Sequence, residues 1–359
     1  MYGKRNSKKR QIAMKSTYII GEIGQNHNGS VDIAKLLVEL VARPIHEDVF
    51  DLDLQPMNAV KLTKRDLQEE LSVSQMNRPY NNPNSFGKTY GEHRAFLELT
   101  DEEHFEVYKY AKSIGLDFVE TLCAKGCLSL LKLFTPDKLK VASRDVTNLP
   151  LLTAMAETKI PIILSTGMAG EKELDEALDT ISRYHSDISI LHCVSQYPTH
   201  PNNLNLNTIA YLKKHYGQYT IGFSDHTIGI SAPLVAVGMG AEIIEKHITI
   251  DRNMKGTDQA GSLGPEGVRR MVRDIRIAEL WKGKEDLYID PCVESARLKL
   301  ERSIASKTTL PIGHIIQESD LHLLSPGDGF KWRDLALVVG KRVVKEIAQN
   351  EIIYPNMIL

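Results

Sequence analysis

The sequence predicts a (β/α)8 (TIM) barrel followed by a small domain built mostly from short β-strands. Between residues 17 and 285, eight apolar strand-like runs alternate with helix-like runs, and most of the strands are apolar on both faces. Strands buried on both faces are typical of parallel sheets that helices cover. A doubly wound open sheet is the alternative architecture, but eight regular units over about 265 residues favour a closed barrel.

The individual elements follow from apolar runs and turn signals along the chain. Strands are predicted at 17–23, 58–63, 117–121, 138–143, 160–166, 188–194, 219–224 and 241–249. Helices are predicted at 31–42, 125–134, 149–157, 171–184, 208–215, 230–240 and 265–280. One further helix begins at Thr100, because Thr100 and Glu103 form a capping-box pattern. Two segments interrupt the alternation: an acidic and apolar stretch at 43–57, with no predicted function, and a polar excursion at 65–99.

The pattern of predicted secondary structure changes after Asp290. Short alternating runs replace the strand–helix alternation and are separated by turn signals such as LPIGH and SPGDG. We therefore predict four parts: a basic tail at 1–16, the barrel at 17–285, a linker at 286–298 and the small domain at 299–359.

Composition excludes several classes of protein. The 359 residues are 42% hydrophobic and carry a formal net charge of -2, with no basic stripe for binding nucleic acid. No apolar run is long enough to span a bilayer. The four cysteines are too few for a disulfide scaffold, and Cys123 and Cys127 alone are a weak zinc signal. The composition is typical of a cytoplasmic protein with reduced thiols.

Polar residues gather where the predicted strands end, which is the face on which barrels keep their chemistry. His226 and His247 end the last two strands, and two neutral imidazoles side by side are good ligands for a divalent metal. The alternative is that both histidines bind carboxylates. Lys61, Lys140 and several hydroxyls end other strands, which indicates a phosphate-type anion site beside the histidines.

Nine segments resemble the sialic acid synthase family, which condenses phosphoenolpyruvate with a hexosamine, and they follow one another in the order typical of that family. These segments are IIGEIGQNHNGS (19–30), AVKLTKRDL (59–67), TYGEHRAFLELT (89–100), KVASRDVTNLPLL (140–152), PIILSTGM (161–168), LHCVSQYPT (191–199), IGFSDHT (221–227), EKHITIDRNMKGTDQAGSLGPE (245–266) and RSIASK through SPGDG (302–329). The resemblance implies a phosphoenolpyruvate-binding barrel and an antifreeze-like (SAF) domain. It also implies a domain-swapped homodimer in which each small domain caps the partner's barrel.

The resemblance implies roles for individual residues. His226 and His247 would bind a divalent metal, most typically Mn2+, with Mg2+ or Co2+ as alternatives, and Glu22 would move protons. The residues implied to hold phosphoenolpyruvate are Lys61, Thr121, Lys140, Ser143, Ser165, Ser195 and Ser224. The residues implied to lie near the sugar are Asp145, Tyr197 and Asp258, with Arg144 as a further candidate.

The departures from the family pattern lie on the sugar side. Thr63 replaces a glutamine, Arg144-Asp145 replaces Gly-Glu, and Ser325 replaces an arginine in the small domain. The donor is therefore predicted as phosphoenolpyruvate. The acceptor stays open between N-acetylmannosamine, a diacetamido hexose of the legionaminic or pseudaminic type, and a mannose phosphate. The excursion at 65–99 is expected to contact the acceptor, since binding residues concentrate on loops.

Two other functions fit the same fold. One is a protein that binds phosphoenolpyruvate or the sugar without turnover, because a fold does not determine function. The other is an aldolase that forms a Schiff base through Lys140, which would require a depressed lysine pKa in an apolar site. The hydroxyl-rich surroundings expected around Lys140 favour the synthase over the aldolase.

Overall fold

The computed structural model describes residues 16–359, so the predicted basic tail lies outside the described residues except for Ser16. The chain divides into two compact units, the first ending at Gly283 and the second spanning Lys284–Leu359. Each unit has its own hydrophobic core, as expected of independently packed domains.

Twelve strands are found in the described residues. In chain order they are β1 (Tyr18–Gly24), β2 (Ile45–Glu47), β3 (Leu52–Leu54), β4 (Ala59–Lys64), β5 (Asp117–Leu122), β6 (Lys138–Val141), β7 (Ile162–Ser165), β8 (Ile188–Cys193), β9 (Thr220–Asp225), β10 (Ile243–His247), β11 (Ser303–Ser306) and β12 (Leu321–Leu324). Eight of them close a parallel barrel in the order β1-β10-β9-β8-β7-β6-β5-β4. The predicted barrel is confirmed, and the open sheet is excluded.

Eleven α-helices are found in residues 16–359. They are α1 (Val31–Ala42), α2 (Leu67–Glu70), α3 (Val73–Met76), α4 (Tyr90–Phe96), α5 (Asp101–Ser113), α6 (Leu149–Glu157), α7 (Glu171–Ser182), α8 (Asn207–His215), α9 (Ser231–Gly238), α10 (Pro265–Trp281) and α11 (Glu294–Leu300). The helix predicted at 125–134 is instead a 3-10 helix, Lys125–Lys132. Shorter 3-10 helices lie at Ser143–Asp145, Pro201–Asn203, Gln259–Gly261, Pro291–Val293, Glu318–Asp320, Trp332–Leu337 and Pro355–Met357.

The two segments that interrupt the alternation both contain regular structure. Residues 43–57 include a hairpin of β2 and β3, paired antiparallel from Ile45 opposite Leu54 to Glu47 opposite Leu52. The polar excursion at 65–99 contains α2, α3 and α4. The last of these begins with a complete capping box between Thr89 and Glu92, which satisfies backbone N–H groups at its first turn.

Apolar side chains pack on both faces of the barrel strands. The outward side chains form the main core with the surrounding helices, and Phe118 and Phe223 are fully buried there. A second, smaller cluster fills the barrel interior and consists of Ile20, Ala59, Val119, Ile163, Leu191 and Ile243. This inward apolar layer closes the lower part of the barrel, so that only its upper part is available to a ligand.

The second unit is built around a small core that includes Ile304, Leu321 and Val343. Its one sheet within the described residues is the antiparallel pair β11 and β12, and isolated bridges such as Leu310 to Ile347 connect the remaining extended segments. In residues 16–359, no helix combines the length and the apolar character needed to cross a bilayer.

We predict that Gly222→Ala destabilises the barrel by about 1–3 kcal/mol, because added volume in a packed interior forces its neighbours to move. A Cβ at Gly222 would lie 2.5 Å from both the Ile243 carbonyl oxygen and Leu191 Cδ2. Gly238→Ala, at the end of α9, is the matched control, since a Cβ there meets nothing within 4 Å. Urea unfolding followed by circular dichroism should show a lower midpoint for the first variant only, and equal midpoints would contradict the prediction.

Candidate active site

Polar side chains occupy the layer directly above the inward apolar layer. Side chains alternate between the two faces of a strand, so a residue two positions after an inward apolar residue also points inward. Ile20 is followed in this way by Glu22, and Ile243 by Glu245. The inward polar residues are Glu22, Lys61, Thr121, Lys140, Ser165, Cys193, Ser224 and Glu245.

These side chains line a cavity of about 510 Å³ at the carboxyl end of the barrel strands, a size that suits one or two small ligands. All of the predicted site residues line this cavity except Asp145. Those that line it are Glu22, Lys61, Thr121, Lys140, Ser143, Arg144, Ser165, Ser195, Tyr197, Ser224, His226, His247 and Asp258. The structure therefore brings together residues that come from all eight barrel strands or the loops after them.

Two carboxylates and two lysines form a charge cluster on the cavity floor. Lys61 Nζ lies 2.7 Å from Glu22 Oε2 and 3.8 Å from Glu245 Oε2. Lys140 Nζ lies 3.7 Å from Glu245 Oε1. None of the four residues is more than 5% exposed. Because an unpaired buried charge costs several kcal/mol, each charge depends on its neighbours in the cluster.

The two carboxylates of the charge cluster differ in pKa. Burial raises the pKa of Glu22 to about 7, although the attraction of Lys61 opposes this shift. Burial would also raise the pKa of Glu245, but Lys140 and Lys61 together outweigh it and lower this pKa to about 2. Glu245 is therefore a permanent anion at neutral pH, whereas Glu22 can gain or lose a proton.

Hydroxyl groups bind both lysines of the charge cluster. Lys61 Nζ donates to Thr121 Oγ1 over 3.0 Å, and Lys140 Nζ donates to Ser165 Oγ over 2.6 Å. Burial lowers the pKa of Lys140, although Glu245 opposes this shift. Ammonium groups flanked by hydroxyls offer several donors to an anionic ligand, so this part of the floor can hold a carboxylate or a phosphate.

Gly167 allows two further hydroxyls to approach the floor. Its backbone N–H donates to Ser143 Oγ over 3.0 Å. A Cβ at this position would lie 2.5 Å from Ser195 Oγ and 2.8 Å from Ser143 Oγ. A residue larger than glycine would push both serines away from the cavity.

The two predicted histidines lie next to each other at one side of the cavity. The ring centroids of His226 and His247 are 5.7 Å apart, and Tyr197 lies against His226 with a centroid distance of 3.9 Å. His226 Nδ1–H donates to the Val194 carbonyl oxygen over 2.8 Å, which leaves Nε2 as the free acceptor. Burial lowers the pKa of His226 to about 4, and that of His247 below its usual range.

The donor set of this histidine pair suits a divalent metal. Both imidazoles are neutral at pH 7, and buried His247 Nδ1 has no hydrogen-bond partner among residues 16–359, so it is available as a ligand. Within the same residues, no group of three or more His, Cys, Asp or Glu side chains is arranged around a metal position. The protein would therefore supply two ligands, and water or substrate the others.

A buried ion pair on the outer face of the barrel holds the two histidine-bearing strand ends together. Lys246 Nζ lies 2.6 Å from Asp225 Oδ2 and also donates to the Thr227 carbonyl oxygen. Asp225 accepts a further hydrogen bond from the Thr227 backbone N–H over 2.8 Å. Asp225 precedes His226 and Lys246 precedes His247, so this pair restrains the backbone beside each imidazole.

Arg144 and Asp145 occupy different places, although the sequence predicted both for the sugar side. Arg144 lines the cavity and bridges two carboxylates, with Glu70 Oε1 at 3.3 Å and Asp145 Oδ2 at 3.3 Å. Asp145 is buried behind it and does not line the cavity. The aspartate therefore contacts the arginine rather than the cavity interior.

Several residues of the site were missed by sequence reasoning. Glu245 was overlooked, although it stands two positions before His247 and must point to the same side of β10. Others belong to loops or to the excursion, where no strand periodicity could indicate their direction. The remaining lining residues are Gly24, Gln25, Thr63, Arg65, Tyr80, Tyr90, Arg94, Ala142, Met168, Cys193 and Thr257.

Comparisons with known proteins agree with this architecture. The NeuB family matches residues 55–286, and the SAF domain matches residues 301–359. N-acetylneuraminate-9-phosphate synthase of Homo sapiens is 30% identical over 95% of this chain and 92% of its own. N,N'-diacetyllegionaminic acid synthase of Legionella pneumophila is 33% identical over 91% and 90%. The crystal structure of N-acetylneuraminic acid synthetase from Leptospira borgpetersenii matches with a TM-score of 0.65 and 29% identity, over 78% of this chain and 90% of that one.

We predict that Glu22 titrates near neutral pH. Infrared difference spectra between the unaltered chain and Glu22→Gln should show a protonated carboxyl band that is present at low pH and disappears through about pH 7. In a Glu245→Gln background the same band should disappear at lower pH, because removing a neighbouring negative charge favours the ionised form of Glu22. A band lost at the ordinary pH of glutamate in both backgrounds would contradict the proposed effect of burial.

Proposed function

The chain belongs to the NeuB family of phosphoenolpyruvate-using sugar acid synthases, and we propose that it condenses phosphoenolpyruvate with an aldose of the hexosamine type. The product is a nonulosonic acid of the sialic acid type, and inorganic phosphate is released. Relatives are named for different products, including N-acetylneuraminate 9-phosphate and diacetyllegionaminic acid. The family alone therefore leaves the acceptor of this chain open.

The observation that carries the proposal is the pair of hydroxyl-flanked lysines beside the two neutral imidazoles. Lys61 is paired with Glu22, and Lys140 with Glu245. Each lysine can instead form an ion pair with the carboxylate or the phosphate of phosphoenolpyruvate. The buried floor strengthens this attraction, since charges interact more strongly away from water. The imidazoles of His226 and His247 lie at the edge of the same cavity, where an aldehyde could approach the bound donor.

We propose Mn2+ as the metal, held by His226 and His247, with Mg2+ and Co2+ as alternatives. When bound, such a metal supplies a Lewis acid that polarises the aldehyde of the acceptor. The protein contributes two oriented imidazoles, one of them fixed by the hydrogen bond from His226 to Val194. Tyr197 covers one imidazole ring and limits the space in which the aldehyde can lie.

The reaction forms one carbon–carbon bond and breaks one carbon–oxygen bond. Carbon 3 of phosphoenolpyruvate attacks the aldehyde carbon, and the aldehyde oxygen takes up a proton. Water adds to the cationic carbon 2, and the bond between carbon 2 and the phosphate oxygen then breaks to leave the keto acid and phosphate. Glu22, whose pKa of about 7 permits both protonation states, gives its proton to the aldehyde oxygen and regains one from the attacking water. The second proton of that water leaves the carbon 2 hydroxyl as the ketone forms and goes to the departing phosphate oxygen.

We also propose that the protein acts as a cytoplasmic homodimer in which a partner covers the barrel mouth. Apolar side chains are exposed around this mouth: Met168 is 62% exposed, and Tyr197 and Ile228 are each 59% exposed. Exposed apolar groups of this kind mark contact surfaces. Sedimentation velocity should give twice the mass of one chain, and Ile228→Glu should shift the equilibrium towards monomer; a purely monomeric unaltered chain would contradict the proposal.

One observation favours a second candidate, an aldolase that acts through Lys140. Burial lowers the pKa of Lys140, and a depressed pKa helps a lysine to form a Schiff base. However, Lys140 is bound to Ser165 and lies near Glu245, which suits an anion better than a carbonyl carbon. Borohydride should trap no covalent adduct with substrate, whereas an adduct on Lys140 would establish the aldolase.

We predict phosphate release when the protein is incubated with phosphoenolpyruvate, Mn2+ and the correct aldose, and loss of this release on adding EDTA. Phosphoenolpyruvate labelled with 18O at the bridging position should transfer the label to phosphate, because the carbon–oxygen bond breaks. Glu22→Gln should lower kcat by roughly 10²–10⁴-fold, the usual contribution of a positioned acid or base. His226→Ala should lose both Mn2+ binding and turnover.

Glu157→Gln is the matched control for these variants, since Glu157 is exposed at the end of α6. It should keep the full rate. Phosphoenolpyruvate binding without phosphate release for any aldose would instead support a binding protein. Unlabelled phosphate in the 18O experiment would contradict the proposed bond cleavage.

A further inference from the structure

Arg94 lines the cavity and has only neutral partners. It belongs to α4 in the excursion at 65–99, outside the barrel itself. Its Nε–H donates to the Tyr90 hydroxyl over 2.9 Å, and Nη1 donates to Gln25 Oε1. Its guanidinium carbon lies 5.0 Å from the centre of the Tyr90 ring. The positive charge of Arg94 is therefore held in place without a carboxylate beside it.

The other cationic side chains that line the cavity all have acidic partners. Lys61 pairs with Glu22 and Lys140 with Glu245, as described above. Arg65 Nη1 lies 2.6 Å from Glu70 Oε1, and Arg144 shares the same carboxylate. Across residues 16–359, Arg94 is the cavity-lining cation that makes no ion pair. A half-buried cation facing a ligand cavity with no protein anion is suited to an anion on the ligand.

Arg94 is also fixed in orientation before any ligand arrives. Gln25, which accepts from Arg94, donates through Nε2 to Glu98 Oε1 over 3.1 Å. The preceding residue in the helix, His93, is fully buried and accepts from the Phe86 backbone N–H over 3.2 Å. Of the five N–H donors of a guanidinium, two are used by Tyr90 and Gln25, which leaves three for a ligand. Preorganised donors of this kind raise affinity because little freedom is lost on binding.

A second cation lies near Arg94 without lining the cavity, and one carboxylate lines the cavity itself. Lys255 Nζ is 4.9 Å from the centre of the Phe86 ring, and Phe86 stacks on His93 beside Arg94. Asp258 lines the cavity from the loop after β10 and would repel an anion but accept from sugar hydroxyls. Arg94 is therefore the cavity-lining cation that an anionic group of the acceptor can contact. Lys255 adds a second positive charge in its neighbourhood, which suits the double charge of a phosphate monoester.

We propose that the acceptor is a phosphorylated hexosamine whose phosphate is bound by Arg94, at the end of the sugar remote from the aldehyde. This inference rests on the proposed synthase activity. Phosphoenolpyruvate occupies the floor, where Lys61 and Lys140 balance its charge, and the phosphate of the acceptor uses the remaining cation at the mouth. Arg94 is in this sense a residue that determines acceptor specificity, and it takes no part in bond formation.

The experiment compares phosphate release from phosphoenolpyruvate with N-acetylmannosamine and with its 6-phosphate as acceptors. We expect kcat/KM to be at least about tenfold higher for the phosphorylated sugar, as expected when a preorganised charge pair contributes 1.4 kcal/mol or more. Arg94→Gln should remove most of this preference while leaving the rate with the neutral sugar within a few-fold. Arg94→Lys should retain part of the preference, because the charge remains but the planar fork is lost.

Arg78→Gln is the matched control, since Arg78 is an exposed arginine of the same excursion that does not line the cavity. It should leave the preference unchanged. Equal or faster turnover of the neutral sugar by the unaltered chain would overturn the inference, as would an equal loss for both sugars in Arg94→Gln.

A binding measurement separates this inference from the proposed function. Calorimetry on the Glu22→Gln protein loaded with phosphoenolpyruvate should show tighter binding of the 6-phosphate than of the neutral sugar, and Arg94→Gln in that background should abolish the difference. Absence of turnover with every sugar would refute the synthase, whereas equal binding of the two sugars would refute the role of Arg94.

Discussion

Four buried charges inside the barrel constrain everything that this site can do. Two carboxylates and two ammonium groups lie within a few ångströms of one another in a space that water hardly enters, and their charges sum to zero. Removing any one of them would leave another unpaired at a cost of several kcal/mol. The cluster therefore explains why polar groups can occupy a barrel interior whose lower layer is apolar. It also means that an anionic ligand can enter only if the charge balance changes.

Glu22 is the member of the charge cluster whose protonation state can change near neutral pH. Its pKa is raised to about 7 by burial, whereas Glu245 is held ionised by both lysines. An arriving anion would raise the pKa of Glu22 further, because a like charge disfavours ionisation. Protonation of Glu22 would then release Lys61 for the ligand, and the same proton would be available to the reaction. In this way one carboxyl group would link donor binding to proton transfer, without any movement of the barrel strands.

Strand periodicity explains how much of this could be predicted. The eight strands, and the residues that end them, follow from apolar runs in the sequence, and all of the predicted site residues except Asp145 line the cavity. Glu245 could also have been found from its spacing to His247. Arg94 could not, because its direction depends on a contact with Gln25 from a distant loop. The hairpin at 43–57 and the 3-10 helix Lys125–Lys132 were missed for a similar reason, since short elements depend on tertiary packing more than on local pattern.

The floor and the mouth of the cavity differ in the same way, because strands build the floor and loops build the mouth. The floor is built from strand interiors, where register and alternation leave little room for variation, because shifting a strand by one residue would turn its charges out of the cavity. The mouth is built from loops and from the excursion, which can change without disturbing the barrel. Glu70 illustrates this, since it belongs to the excursion and binds both Arg65 and Arg144. Arg144, which departs from the family pattern, is thus balanced by an acid from the excursion, so this part of the mouth can differ between proteins while the charge cluster on the floor is kept.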